Sequence, residues 1–105
     1  MLEQGELVRF YLTQNANHGG LPLHEWLLRE GKSLGMAGGT AFRAISGFGR
    51  HGRLHEEHFF ELAGELPVLV EFFAAPAAID QLLTHLRAES LSLRFIRLAA
   101  QSDVS

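Results

Sequence analysis

The chain has 105 residues, 47% of them hydrophobic, which is enough for one domain with its own core and too few for two. Its formal charge of -3 argues against wholesale phosphate neutralisation, and so against nucleic acid as a partner, while the absence of cysteine removes disulfides, thiolate metal sites and cysteine nucleophiles. No apolar stretch approaches the ~20 residues of a bilayer span, and the opening Met1-Leu2-Glu3-Gln4-Gly5-Glu6 is acidic where a signal peptide is basic, so direct membrane insertion is not expected and a cytoplasmic location is.

Alternation comes first along the chain. Val8, Phe10 and Leu12 share one face while Leu7, Arg9, Tyr11 and Thr13 share the other, the period of a half-buried strand. Gln14 to Gly20 supplies a polar exit rich in turn residues, and Pro22 suits the first turn of a helix expected over 22–34. Leu23, Trp26, Leu27 and Leu34 fall on one side of that helix, Gly31 weakens its last turn, and Gly35 is placed to end it in a left-handed conformation. Trp26 reads as helix core. A second strand is expected over 37–45, with small residues on both faces that admit close packing by a neighbouring chain or a ligand.

The connection 46–65 is longer than a hairpin needs, and such excess length is commonly functional. A strongly apolar third strand follows over 66–73. Pro76 and Ala77 then open a second helix, in which Ile79, Leu82, Leu83 and Leu86 recur at i, i+3, i+4 and i+7. A last strand is expected over 91–99 with Leu91, Leu93 and Phe95 toward the core. One domain thus spans 1–100, and 101–105 forms a flexible tail. The order strand, helix, strand, strand, helix, strand predicts an α+β ferredoxin-like βαββαβ sandwich, an antiparallel sheet with two helices on one face. Its other face and its edges need cover, and symmetric oligomerisation supplies it.

The densest chemistry lies between Gly35 and Gly49 and just beyond. Backbone amides at Gly38, Gly47 and Gly49, the Thr40 hydroxyl, and the cations Arg43, Arg50 and Arg53 beside His55 are the groups a small anionic ligand would need. The same residues also read as a shaped turn with solvated charges, with Phe59 and Phe60 packing against a neighbouring subunit. His51, His55 and His58, with Glu56 and Glu57 between them, have metal-ligand spacing only if the segment is helical, and no His-Glu-x-x-His motif accompanies them, so no metal or cofactor is expected. Thr40, Ser46 and Glu56 offer nucleophile and base types without a Gly-x-Ser-x-Gly elbow or a phosphate loop. No catalytic residue is assigned and an enzyme is not expected.

The pattern Gly-x-x-Gly-x-Thr-x-x-Arg-x-x-x-Gly-Phe-Gly, here Gly35 to Gly49, resembles the PII-like family of uncharacterised bacterial proteins known as domain of unknown function 190. His18-Gly19-Gly20-Leu21-Pro22-Leu23, His55 and Glu65-Leu66-Pro67-Val68 extend the resemblance over most of 7–100. Two positions depart from it, with Gly39 standing where the family often has alanine and Ala44 where it usually has glycine. The resemblance implies a ferredoxin-like subunit, a homotrimer similar to PII signalling proteins, and a regulatory role. A small anionic metabolite or adenine nucleotide would bind between subunits and bias 46–65 toward a form that a partner protein recognises. A structural trimer without ligand, or a histidine-based metal-binding protein similar in fold to CutA, is the alternative.

Overall fold

The computed structural model describes residues 2–47 and 67–105. Alternation in β1 (Glu3–Leu12) turns Val8, Phe10 and Leu12 into the core as expected. The polar exit then folds as a small hairpin of β2 (Asn17–His18) and β3 (Leu21–Pro22). Gly19 and Gly20 join them at φ +59° and +80°, the left-handed pair that a two-residue type I′ connection requires. The Leu23 amide donates to the Ala16 carbonyl at 2.8 Å and sets the start of α1 (Leu23–Ser33). Pro22 is therefore the residue capping the helix, and the helix begins one residue later than the sequence suggests.

Helix α1 buries Leu23, Trp26, Leu27 and Gly31. It ends as predicted at Gly35, whose φ is +87°. The Gly35 amide donates to the Lys32 carbonyl at 3.0 Å and the Met36 amide to the Gly31 carbonyl at 3.1 Å, a Schellman ending that satisfies carbonyls otherwise left open. Gly31 in the last turns of the helix has a packing reason. A β-carbon there would lie 2.3 Å from Phe72 Cε1, so the glycine makes room for that ring.

Strand β4 (Gly39–Arg43) is shorter than the expected 37–45, because Met36 to Gly38 are used in leaving the helix. Strand β5 (Val68–Ala74) alternates Val68, Val70 and Phe72 into the core, and α2 (Pro76–Ala88) contributes Ile79, Leu82, Leu83 and Leu86 as its spacing foretold. Strand β6 (Arg94–Ser102) is displaced from the expected 91–99. The reason lies in the end of α2, a second Schellman turn in which Ser90 adopts φ +58° and the Leu91 amide reaches the Leu86 carbonyl at 2.9 Å. Leu91 and Leu93 pack on the core from the turn, and the strand starts after them. Gln101 and Ser102 belong to the strand, opposite Gln4 and Glu3, so the tail shrinks accordingly.

The main sheet has the order β4-β5-β1-β6 with every neighbouring pair antiparallel. Each helix links two strands that flank a third, which is the ferredoxin-like arrangement, and the architecture is α+β as expected. Phe10 and Phe72 meet edge to face at 6.4 Å in the core between sheet and helices. Arg97 ties β6 to β1 by donating to Glu6 at 2.8 Å and to α2 by donating to Asp80 at 2.7 Å. Hydrogen bonds to Asp80 and Glu6 hold its guanidinium above the ordinary arginine value.

A second tie surrounds Trp26. The His18 ring meets it edge-on at 4.5 Å and His85 stacks on it at 6.1 Å. His18 Nε2 lies 2.9 Å from Glu89, and His85 Nε2 lies 3.1 Å from Glu30. The His18-Gly19-Gly20 motif thus clasps the β2–β3 hairpin to the end of α2.

Candidate functional site

Strand β4 carries the glycine-threonine-arginine run and fixes where its members go. Pairing sets Gly39 opposite Phe72, Ala41 opposite Val70 and Arg43 opposite Val68, so these three face the helix side, while Thr40 and Phe42 face away. Gly38 and Arg43 are separated by the length of the strand, about 16 Å at ~3.3 Å per residue. They stand at opposite ends of β4.

At the Gly38 end lies a notch of about 680 Å³ lined by Gly35 to Thr40, Glu3, Glu71, Phe73 and Ser102 among others. Its ionisable lining consists of the carboxylates Glu3 and Glu71, with no lysine or arginine among the described residues. Glu71 is ion-paired with Arg9 on the neighbouring strand, and the lining itself offers an anion no cation among the described residues. Two of the glycines there have structural reasons. Gly35 needs its left-handed turn, and a β-carbon on Gly39 would lie 2.6 Å from Phe72 Cε1. Nothing lies within 4 Å of a β-carbon built on Gly38.

The other end is cationic. Arg43 closes β4, exposed and without a hydrogen bond or ion pair among the described residues, and Arg94 opens β6 at the same end of the sheet, also exposed. The Ala44 amide donates to the Pro67 carbonyl at 3.0 Å, which pins together the two roots of the connection 44–67. Ala44 is not among the residues of positive φ, so alanine sits there without backbone strain. Ile45 beside it is 88% exposed. Gly47 is partly buried. Gly49, Arg50, Arg53 and His55 lie outside the described residues, as do His51, His58, Glu56, Glu57, Phe59 and Phe60. Among the described residues no three metal-ligating side chains gather.

The sheet face away from the helices, which the sequence marks as needing cover, carries an apolar surface and an ion pair. Leu7, Tyr11, Leu69 and Phe73 are half-buried on it, and Phe42, Ile96 and Leu98 are exposed at 45%, 43% and 48%. Amid them Arg9 Nε donates to Glu71 Oε2 at 2.6 Å, and Arg9 Nη2 contacts the same oxygen. Hydrogen bonds to Glu71 and Tyr11 hold the Arg9 guanidinium above its ordinary value. The partners are 62 positions apart, and only the β1–β5 register brings them opposite one another.

This chain has relatives among known proteins. The family model DUF190, described as an uncharacterised ACR, matches residues 5–92. A UPF0166 protein of Aquifex aeolicus (strain VF5) is 30% identical over 84 residues, covering 80% of each chain. Among solved structures, CPII of Thiomonas intermedia K12, a nitrogen regulatory PII-like protein with ADP, AMP and bicarbonate bound, superposes with a TM-score of 0.63 at 17% identity, covering 100% of this chain and 99% of its own. CutA of Synechococcus elongatus PCC7942 superposes at 0.64 with 12% identity, covering 97% and 85%. At these identities the structures show the fold alone.

Proposed function

The chain belongs to the DUF190 family, and on that premise we propose that it is a non-enzymatic, PII-like regulatory protein of the cytoplasm. It assembles as a homotrimer through the open sheet face. A small anionic metabolite, of which adenine nucleotides are the first to test, binds in a cleft between subunits at the Arg43 end. Binding selects one state of residues 46–65, and a protein partner reads that state.

The observation that carries this reading is Arg43, an exposed guanidinium with no partner among the described residues, at the root of the long connection and at the end of the sheet away from the acidic notch. A fork of N–H donors left free at that position suits a phosphate or carboxylate. The nucleotides in CPII, a protein of the same fold, support the choice of ligand class.

The test is thermal unfolding of the purified protein with ATP, ADP and AMP, beside Arg43→Ala. A ligand present at about a hundred times its Kd stabilises by ~2.7 kcal/mol, and the variant loses most of that response. Hydrogen exchange across 46–65 should slow with the nucleotide that binds. A flat response to the whole panel defeats the nucleotide reading and favours the structural trimer, for which the apolar sheet face speaks.

A further inference from the structure

The Arg9–Glu71 bridge is placed oddly for a solvent-facing ion pair. It sits on the two central strands of the open sheet face, with Leu7 and Phe73 in the cross-strand row on one side and Tyr11 and Leu69 in the row on the other. Exposed pairs contribute little to folding. An isolated charge pair in an apolar field also raises the cost of burying that field, unless its remaining hydrogen-bonding capacity is met.

That capacity is self-complementary. Both contacts that Arg9 makes with Glu71 fall on Oε2, and Oε1 takes no hydrogen bond among the described residues. The Arg9 side chain is 40% exposed against 18% for Glu71, so the fork still presents donors outward while the carboxylate still holds an acceptor. One face thus carries the donor and the acceptor that a second copy of the same face needs.

We infer that Arg9 and Glu71 set the register of self-association through this face, the guanidinium of one copy donating to Glu71 Oε1 of the next. The inference rests on the reading that the chain assembles through the open face. The surrounding apolar side chains supply the attraction, and the bridge rejects arrangements that bury it unsatisfied. Lysine at position 9 keeps the charge and the contact within the chain but lacks the planar fork that serves two acceptors at once.

Sedimentation velocity over a concentration series, with circular dichroism for folding, tests this on wild type, Arg9→Lys and the double variant Arg9→Met with Glu71→Met. Wild type should form one discrete oligomer. Arg9→Lys should keep the wild-type spectrum while its half-assembly concentration rises roughly tenfold, the loss of about one charge-assisted hydrogen bond. The double variant should still associate but distribute over more than one stoichiometry. If wild type assembles and both variants match its midpoint and its single stoichiometry, the inference fails and the assembly reading stands. A wild type that stays monomeric overturns both. Should the double variant not fold, Arg9→Lys decides alone, since a purely intrachain role would leave its midpoint unmoved.

Discussion

Gly31→Ala should destabilise the protein although it improves the helix. Glycine inside a helix is about 1 kcal/mol worse than alanine, so propensity alone predicts a gain of that size. The new methyl, however, would stand 2.3 Å from Phe72 Cε1 and 2.7 Å from Cζ, closer than such atoms approach. Phe72 is 2% exposed, and its ring is flanked on the β4 side by Gly39, so retreat drives it toward the backbone there. Overpacking of this kind costs ~1–3 kcal/mol. Set against the propensity gain, the net loss is about 1 kcal/mol at the middle of the range, or roughly a 4 °C fall in Tm for a domain of this size. Urea and thermal unfolding followed by circular dichroism, at one fixed protein concentration, give the number. Phe72→Leu should relieve the clash, so the double variant should lose less than the sum of the two single changes. A rise in Tm for Gly31→Ala would refute the argument that packing sets this position.

Ser90→Gly should stabilise by roughly 0.5–1 kcal/mol in the same assay, because serine holds φ +58° at the end of α2 where glycine carries no steric penalty; a loss of stability would show that the serine hydroxyl matters more than the backbone. His18→Ala should cost about 1 kcal/mol by removing the Glu89 contact and the edge-on packing against Trp26. Since Trp26 is the chain's single tryptophan, its emission should shift to the red in that variant, and unchanged emission would mean the clasp does not shield the indole.

The strands and helices were legible because their signals are local. Val8, Phe10 and Leu12 declare a period of two, and Ile79, Leu82, Leu83 and Leu86 a period near 3.6, whatever the rest of the chain does. Boundaries failed where a turn was written in an unexpected residue. Ser90 in a left-handed conformation gave no glycine to announce it, and the last strand was placed too early as a result. Gly31 looked like a flaw because its reason, the Phe72 ring, comes from a strand 41 positions away that only tertiary packing supplies. Around the candidate site, the end of α1 at Gly35 and the place of Arg43 on the second strand were readable. Their separation was not, since closeness in sequence hides that an extended strand carries its two ends apart.

That separation decides how the glycine run is to be understood. A glycine-rich stretch beside an arginine reads as an anion cradle only if the amides and the guanidinium share one pocket, and here Gly38 lines the notch that Glu3 and Glu71 also line while Arg43 stands at the other end of β4. Gly35 and Gly39 already have structural reasons, a left-handed helix ending and the Phe72 ring. Gly38 has neither a positive φ nor a neighbour within 4 Å of a β-carbon. Gly38→Ala should therefore leave any nucleotide-induced rise in Tm intact and add about 0.4–1 kcal/mol by restricting the unfolded chain. Arg43→Ala should remove the rise while leaving the unliganded Tm nearly unchanged, as befits an exposed side chain. The opposite pattern, in which Gly38→Ala abolishes the response and Arg43→Ala retains it, would return the ligand to the notch and leave the carboxylates there to be explained by a cationic group on the ligand itself.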